Sequence, residues 1–89
     1  MTRHLIMPPD FLDFCWELEY KGYFSVEVVL PSDRIVPVEF YDHARLAQEL
    51  REHRDAGTPF FARRIAVVES VDLELMNAAV RSAPDEFFE

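Results

Sequence analysis

Apolar residues take every second position from Phe14 to Tyr20, and again from Phe24 to Leu30. That is the pattern of a half-buried strand. Closing the chain over Lys21, Gly22 and Tyr23 predicts a hairpin in which Tyr20 faces Phe24, Leu18 faces Val26, Trp16 faces Val28 and Phe14 faces Leu30. A two-residue turn would set glutamates against apolar side chains, so the pattern selects the three-residue loop. The first stretch also fits helical spacing, through Phe11, Phe14, Cys15 and Leu18. A helix over residues 10–20 is therefore the competing reading.

The pattern continues past Leu30. Pro31-Ser32-Asp33 predicts a turn and residues 34–40 a third strand, with Val36, Val38 and Phe40 on one face. Pro37 cannot donate a ladder hydrogen bond, which suggests an edge strand or a bulge. Asp42 is placed to cap a helix running to Ala56, with Ala44, Leu46, Ala47 and Leu50 as its apolar stripe. Gly57 and Pro59 end that helix. Residues 60–68 read as a fourth strand, continuously apolar from Ile65 to Val68, as expected of a strand covered on both faces or lying at a subunit contact. Asp72 caps a second helix reaching Ser82, with Leu73, Met76, Ala79 and Val80 inward.

These elements make a single domain over residues 1–89, with a lead-in at 1–10 and a short acidic and aromatic tail at 83–89. The fold class is α+β, a two-layer sandwich of order β-β-β-α-β-α. An antiparallel three-strand meander is joined by a fourth strand after a helical crossover, and both helices lie on one face. Cys15, Glu17, Glu19, Ser25, Glu27, Glu39 and Tyr41 then occupy the other face.

Composition narrows the function classes. The chain has nine Lys or Arg against seventeen Asp or Glu, a net charge of −8 divided evenly between its halves. No basic stripe is available to neutralise phosphates, so nucleic acid and anionic membranes are not expected partners. A basic protein is. One cysteine allows no internal disulfide, and the sequence shows no secretory signal, which points to a cytoplasmic protein. The two glycines, Gly22 and Gly57, form no phosphate-binding loop, and His4, His43 and His53 lack metal-ligand spacing. No cofactor or metal is called for.

The predicted hairpin places Glu17 opposite Glu27. A five-residue loop after Leu30 would add Glu39 to that row, whereas a three-residue loop would set Glu39 opposite Ser25. With Glu19 nearby, this acidic sheet face is the candidate partner-binding surface: Glu17, Glu19, Glu27 and Glu39. The expected function is a small non-enzymatic module of inhibitor, immunity or adaptor type. The alternative is a small enzyme or ligand binder sited at Tyr41-Asp42-His43, where a strand passes into a helix N-terminus and His43 could act as acid or base. Cys15 has no cationic sequence neighbour to activate it and reads as an inert thiol. Arg63 and Arg64 would point to opposite faces of a strand and form no patch. Phe60, Phe61, Phe87 and Phe88 are core fillers; alternatively strand 60–68 pairs with its copy as a homodimer, or the Phe87-Phe88 tail docks on another molecule.

Overall fold

The computed structural model describes residues 3–89; the start of the expected lead-in lies outside them. The sheet has four strands in the order β1 (His4–Ile6), β2 (Tyr23–Val29), β3 (Ile35–Asp42) and β4 (Ile65–Val68). β1, β2 and β3 are antiparallel neighbours, and β4 lies parallel to β3 after a helical crossover. The α+β class and this sheet are as the sequence leads one to expect. The element supplying the first strand differs.

Residues 13–20 are not a strand. They belong to helix α1 (Phe11–Lys21), and the lead-in supplies β1. The alternation at Phe14, Trp16, Leu18 and Tyr20 is the sum of two helical stripes. Phe11, Phe14, Cys15 and Leu18 face the core, while Leu12, Trp16 and Tyr20, four apart, face solvent. Asp13 in the first turn and Lys21 in the last suit the helix dipole. Gly22 closes the helix in the left-handed conformation, its N–H donating to the Leu18 carbonyl at 2.8 Å. The pairings expected across residues 14–30 therefore do not exist; β1 takes that edge of β2, with Leu5 opposite Val28.

The β2–β3 hairpin closes over Pro31, Ser32 and Asp33. The Leu30 N–H donates to the Arg34 carbonyl at 2.9 Å, and Asp33 has φ 68°, the left-handed residue such three-residue loops use. Val26 pairs with Val38 and Val28 with Val36. Pro37 turns its missing donor toward β4. Since β4 pairs only with residues 39–42, β3 is locally an edge there.

α2 (His43–Ala56) and α3 (Leu73–Ser82) start at Asp42 and Asp72, whose carboxylates accept from the Arg45 and Leu75 N–H at 2.7 and 2.9 Å. α3 buries Met76 and Val80 against Leu5, Val28, Val36, Val38 and Phe40. The helical layer over that core face is α1 with α3, where the sequence reading set α2 beside α3. α2 buries no residue, so its stripe of Ala44, Leu46, Ala47 and Leu50 has no core partner. Its Arg45 guanidinium lies 5.9 Å from the Tyr23 ring on the outer face of the sheet. The expected tail folds back as a 3-10 turn, Asp85–Phe88, which buries Phe88 in the core.

Candidate protein-docking surface

The acidic residues expected in one row fall into two places. Glu17 and Glu19 stand on α1. Glu27 and Glu39 stand on the outer face of the sheet, opposite Pro37 and Ser25. The three-carboxylate row does not form, because its first member left the sheet with α1 and the three-residue loop offsets Glu39 from Glu27. The Glu39 carboxylate accepts the Tyr23 hydroxyl at 2.9 Å and is tied into the sheet.

What α1 presents instead is an apolar ridge with acidic flanks. Leu12, Trp16 and Tyr20 are 81, 65 and 90% exposed. Helical geometry sets Glu19 on one side of this ridge and Asp13 with Glu17 on the other. Eleven residues thus carry two apolar stripes, one in the core and one in water. The second stripe is legible in the sequence once the segment is read as a helix; strand periodicity merges the two.

The strand-to-helix junction is built for packing. Tyr41 is buried with its ring 4.9 Å from that of Tyr23. Asp42 caps α2. The His43 side chain is 74% exposed and lies 3.7 Å from the equally open Glu69 carboxylate, which gives an acid or base no shielded surroundings. An open hollow of about 380 Å³ beside Ile6, Met7, Phe24 and Pro37 has Glu27 as its one ionisable wall. Cys15 is free and partly buried, its Sγ 3.7 Å from the Leu12 carbonyl. No cluster of three metal-ligating side chains occurs among the described residues. Arg63 and Arg64 converge, both donating to the Glu89 carbonyl at 3.2 and 3.3 Å. Arg64 has φ 59° and lies outside β4, so strand alternation does not separate them.

Burial, the hydrogen bond to Glu39 and the charge of Glu39 push the Tyr23 hydroxyl from 10.0 up to about 12. A raised folded-state value means that the stability Tyr23 brings is complete below about pH 10. It is lost as pH climbs toward about 12. Burial, then Glu39 and Glu49, raise Tyr41 in the same direction. Urea midpoints should fall over that alkaline window, and Tyr23→Phe should remove part of the fall. An unchanged alkaline profile in Tyr23→Phe would show that this hydroxyl is not coupled to folding.

Compared with protein-family models, curated proteins and solved structures, the chain matches none. Fold and surface define a small four-stranded α+β protein bearing an exposed aromatic helix with acidic flanks. No helix among the described residues is long and apolar enough to cross a membrane.

Proposed function

We propose that the protein is a non-enzymatic binding module that docks a basic protein partner through α1. The observation that carries this reading is the Leu12–Trp16–Tyr20 ridge. Three large apolar side chains share one helix face, and none is covered. Tryptophan and tyrosine are the residue types that dominate binding energy at protein interfaces. Contiguous apolar surface of this kind on a soluble domain marks a contact site. The carboxylates of Asp13, Glu17 and Glu19 then select the partner: an apolar groove with a cationic rim, such as a lysine- or arginine-lined cleft. Glu27 and Glu39 belong to the other face of the sheet and lie outside this surface. A cytoplasmic setting suits the unpaired Cys15. Self-association through β4 uses a different surface.

Affinity capture from native extract with the tagged chain, followed by calorimetry on the purified partner, tests the proposal. A basic protein released by moderate salt is expected. Trp16→Ala should weaken its binding by about 30-fold or more, as loss of a central aromatic anchor does. Glu17→Lys with Glu19→Lys should abolish capture. Both variants should keep the wild-type circular dichroism and unfolding midpoint, since their side chains stand in solvent or at its margin. Undiminished binding of the same partner by folded Trp16→Ala would overturn the docking surface.

A further inference from the structure

We infer that β4 is a self-association edge: a second copy of this chain adds its own β4 antiparallel to it, with Ala66 opposite Ala66 of the second copy. This surface is separate from the α1 ridge and does not depend on the docking reading.

β4 ends the sheet, and its one neighbour is β3. The Glu39 N–H donates to the Arg64 carbonyl at 3.0 Å, and Phe40 pairs with Ala66. Backbone groups alternate sides along a strand. Residues 64, 66 and 68 thus turn toward β3, and Ile65 and Val67 turn their N–H and C=O groups outward. No turn, cap or side chain among the described residues takes these groups up. The usual guards of an exposed edge, a lysine, a proline or an inward charge, are missing from Ile65-Ala66-Val67-Val68.

Which register a second copy adopts follows from symmetry and apolar matching. Two antiparallel edge strands are related by a two-fold axis perpendicular to the sheet, which keeps each face on its own side. Opposed residues must then share a face, so the axis passes through a residue and not between two. Centring it on Ala66 sets Ile65 opposite Val67 of the second copy, and the reverse. Both are outward-bonding residues, so every free group of the two pairs finds a partner. Ile65 and Val67, the latter 41% exposed, would continue one apolar strip across the junction. The small Ala66 side chains allow the close approach of the non-hydrogen-bonded pair between them. Arg63 and Arg64 precede β4 and Glu69 follows it, so an antiparallel copy brings the basic end of each strand toward the acidic end of the other. Centring on Val67 would instead set Ile65 against the Glu69 carboxylate. Apolar matching within β4 therefore picks the register, and the opposite charges at its two ends suit an antiparallel second copy as occupant.

Four residues of edge bury little area, so the dimer should be weak and concentration-dependent. Sedimentation equilibrium on the full chain, from about 10 μM to about 1 mM, should show the mass rising toward twice the monomer. Val67→Pro removes an outward N–H and should leave only monomer. Arg63→Glu alone and Glu69→Arg alone should each shift the curve about tenfold toward monomer, and the double exchange should restore it. Because Val67→Pro could disturb folding, the charge exchange stands as the second arm. Monomer throughout for the wild type would overturn the proposal. So would a dimer untouched by folded Val67→Pro, and a dimer indifferent to both single exchanges would overturn the antiparallel juxtaposition of the strand ends.

Discussion

Replacing Gly22 with alanine is expected to destabilise the protein by roughly 2–3 kcal/mol, about twice the effect of the same change at Gly57. Both glycines end a helix in the left-handed region, at φ 70° and 72°. An L-residue there costs about 1–2 kcal/mol. Their surroundings separate them. A Cβ at Gly57 would meet nothing within 4 Å, whereas one at Gly22 would come 2.6 Å from the Asp42 Cγ. The Asp42 carboxylate cannot simply turn aside, because it caps α2 through the Arg45 N–H. The Asp42 N–H is in turn held by the Gly22 carbonyl at 2.9 Å. Losing the cap adds about 1 kcal/mol. The end of α1, the start of β2 and the first turn of α2 thus meet at one position without room for a methyl group. Urea unfolding of Gly22→Ala, Gly57→Ala, Asp42→Ala and the Gly22→Ala, Asp42→Ala pair measures this. With Asp42 already truncated, the Gly22 substitution should fall to the Gly57 value. Equal effects of the two glycine substitutions in the wild-type background would mean that Asp42 does not pack on Gly22.

Truncating Phe88 to alanine should cost about 3–5 kcal/mol, as the loss of a core aromatic does. That is a large part of the roughly 5–15 kcal/mol that holds a domain of this size together. Phe88 is 2% exposed and belongs to the same cluster as Leu5, Val36 and Met76. Its ring meets Phe87 edge-on at 5.1 Å and lies beneath the Arg3 guanidinium at 4.6 Å. Arg3 also bonds the Val80 carbonyl at 3.0 Å and pairs with Asp85, and Arg34 donates to the Phe88 carbonyl. The final residues are therefore laced through Arg3, just before β1, to the end of α3, and through Arg34 to the hairpin loop. Phe61→Ala is the control: its ring is 87% exposed, and the change should fall within about 0.5 kcal/mol of wild type. Thermal and urea midpoints of the two variants decide the matter. Similar midpoints would mean that the 85–88 turn is an appendage and not part of the core.

The proposed docking surface shows how little of a site one pattern can carry. Glu17 and Glu19 were legible as members of an acidic surface, but their neighbours were not. Paired with Glu27 across a hairpin they would make a carboxylate row; on a helix they flank Trp16 and Tyr20. The decisive evidence is the second apolar stripe, which emerges only when Leu12 is counted with Trp16 and Tyr20 at a spacing of four. The junction at Tyr41, Asp42 and His43 was correctly placed at a helix start, where Tyr41 packs on Tyr23, Asp42 caps α2 and His43 stands exposed.

Sequence by itself determined the elements whose signals are local and agree with one another. Asp42 and Asp72 as caps, Gly57 as the helix end, and the alternation of β2 and β3 all rest on interactions within a few residues. With the apolar run of β4 they are enough for the α+β class and for three of the four strands. Tertiary structure alone decided whether residues 11–21 became helix or strand, because their apolar positions satisfy both periods. The choice turned on which segment filled the free edge of β2. His4, Leu5 and Ile6 took it, too short a run to announce itself as a strand. Once Leu5 lies opposite Val28, the Phe11 and Leu18 face of the neighbouring segment is best buried as a helix over that sheet. Trp16 and Tyr20 are left in water as the consequence.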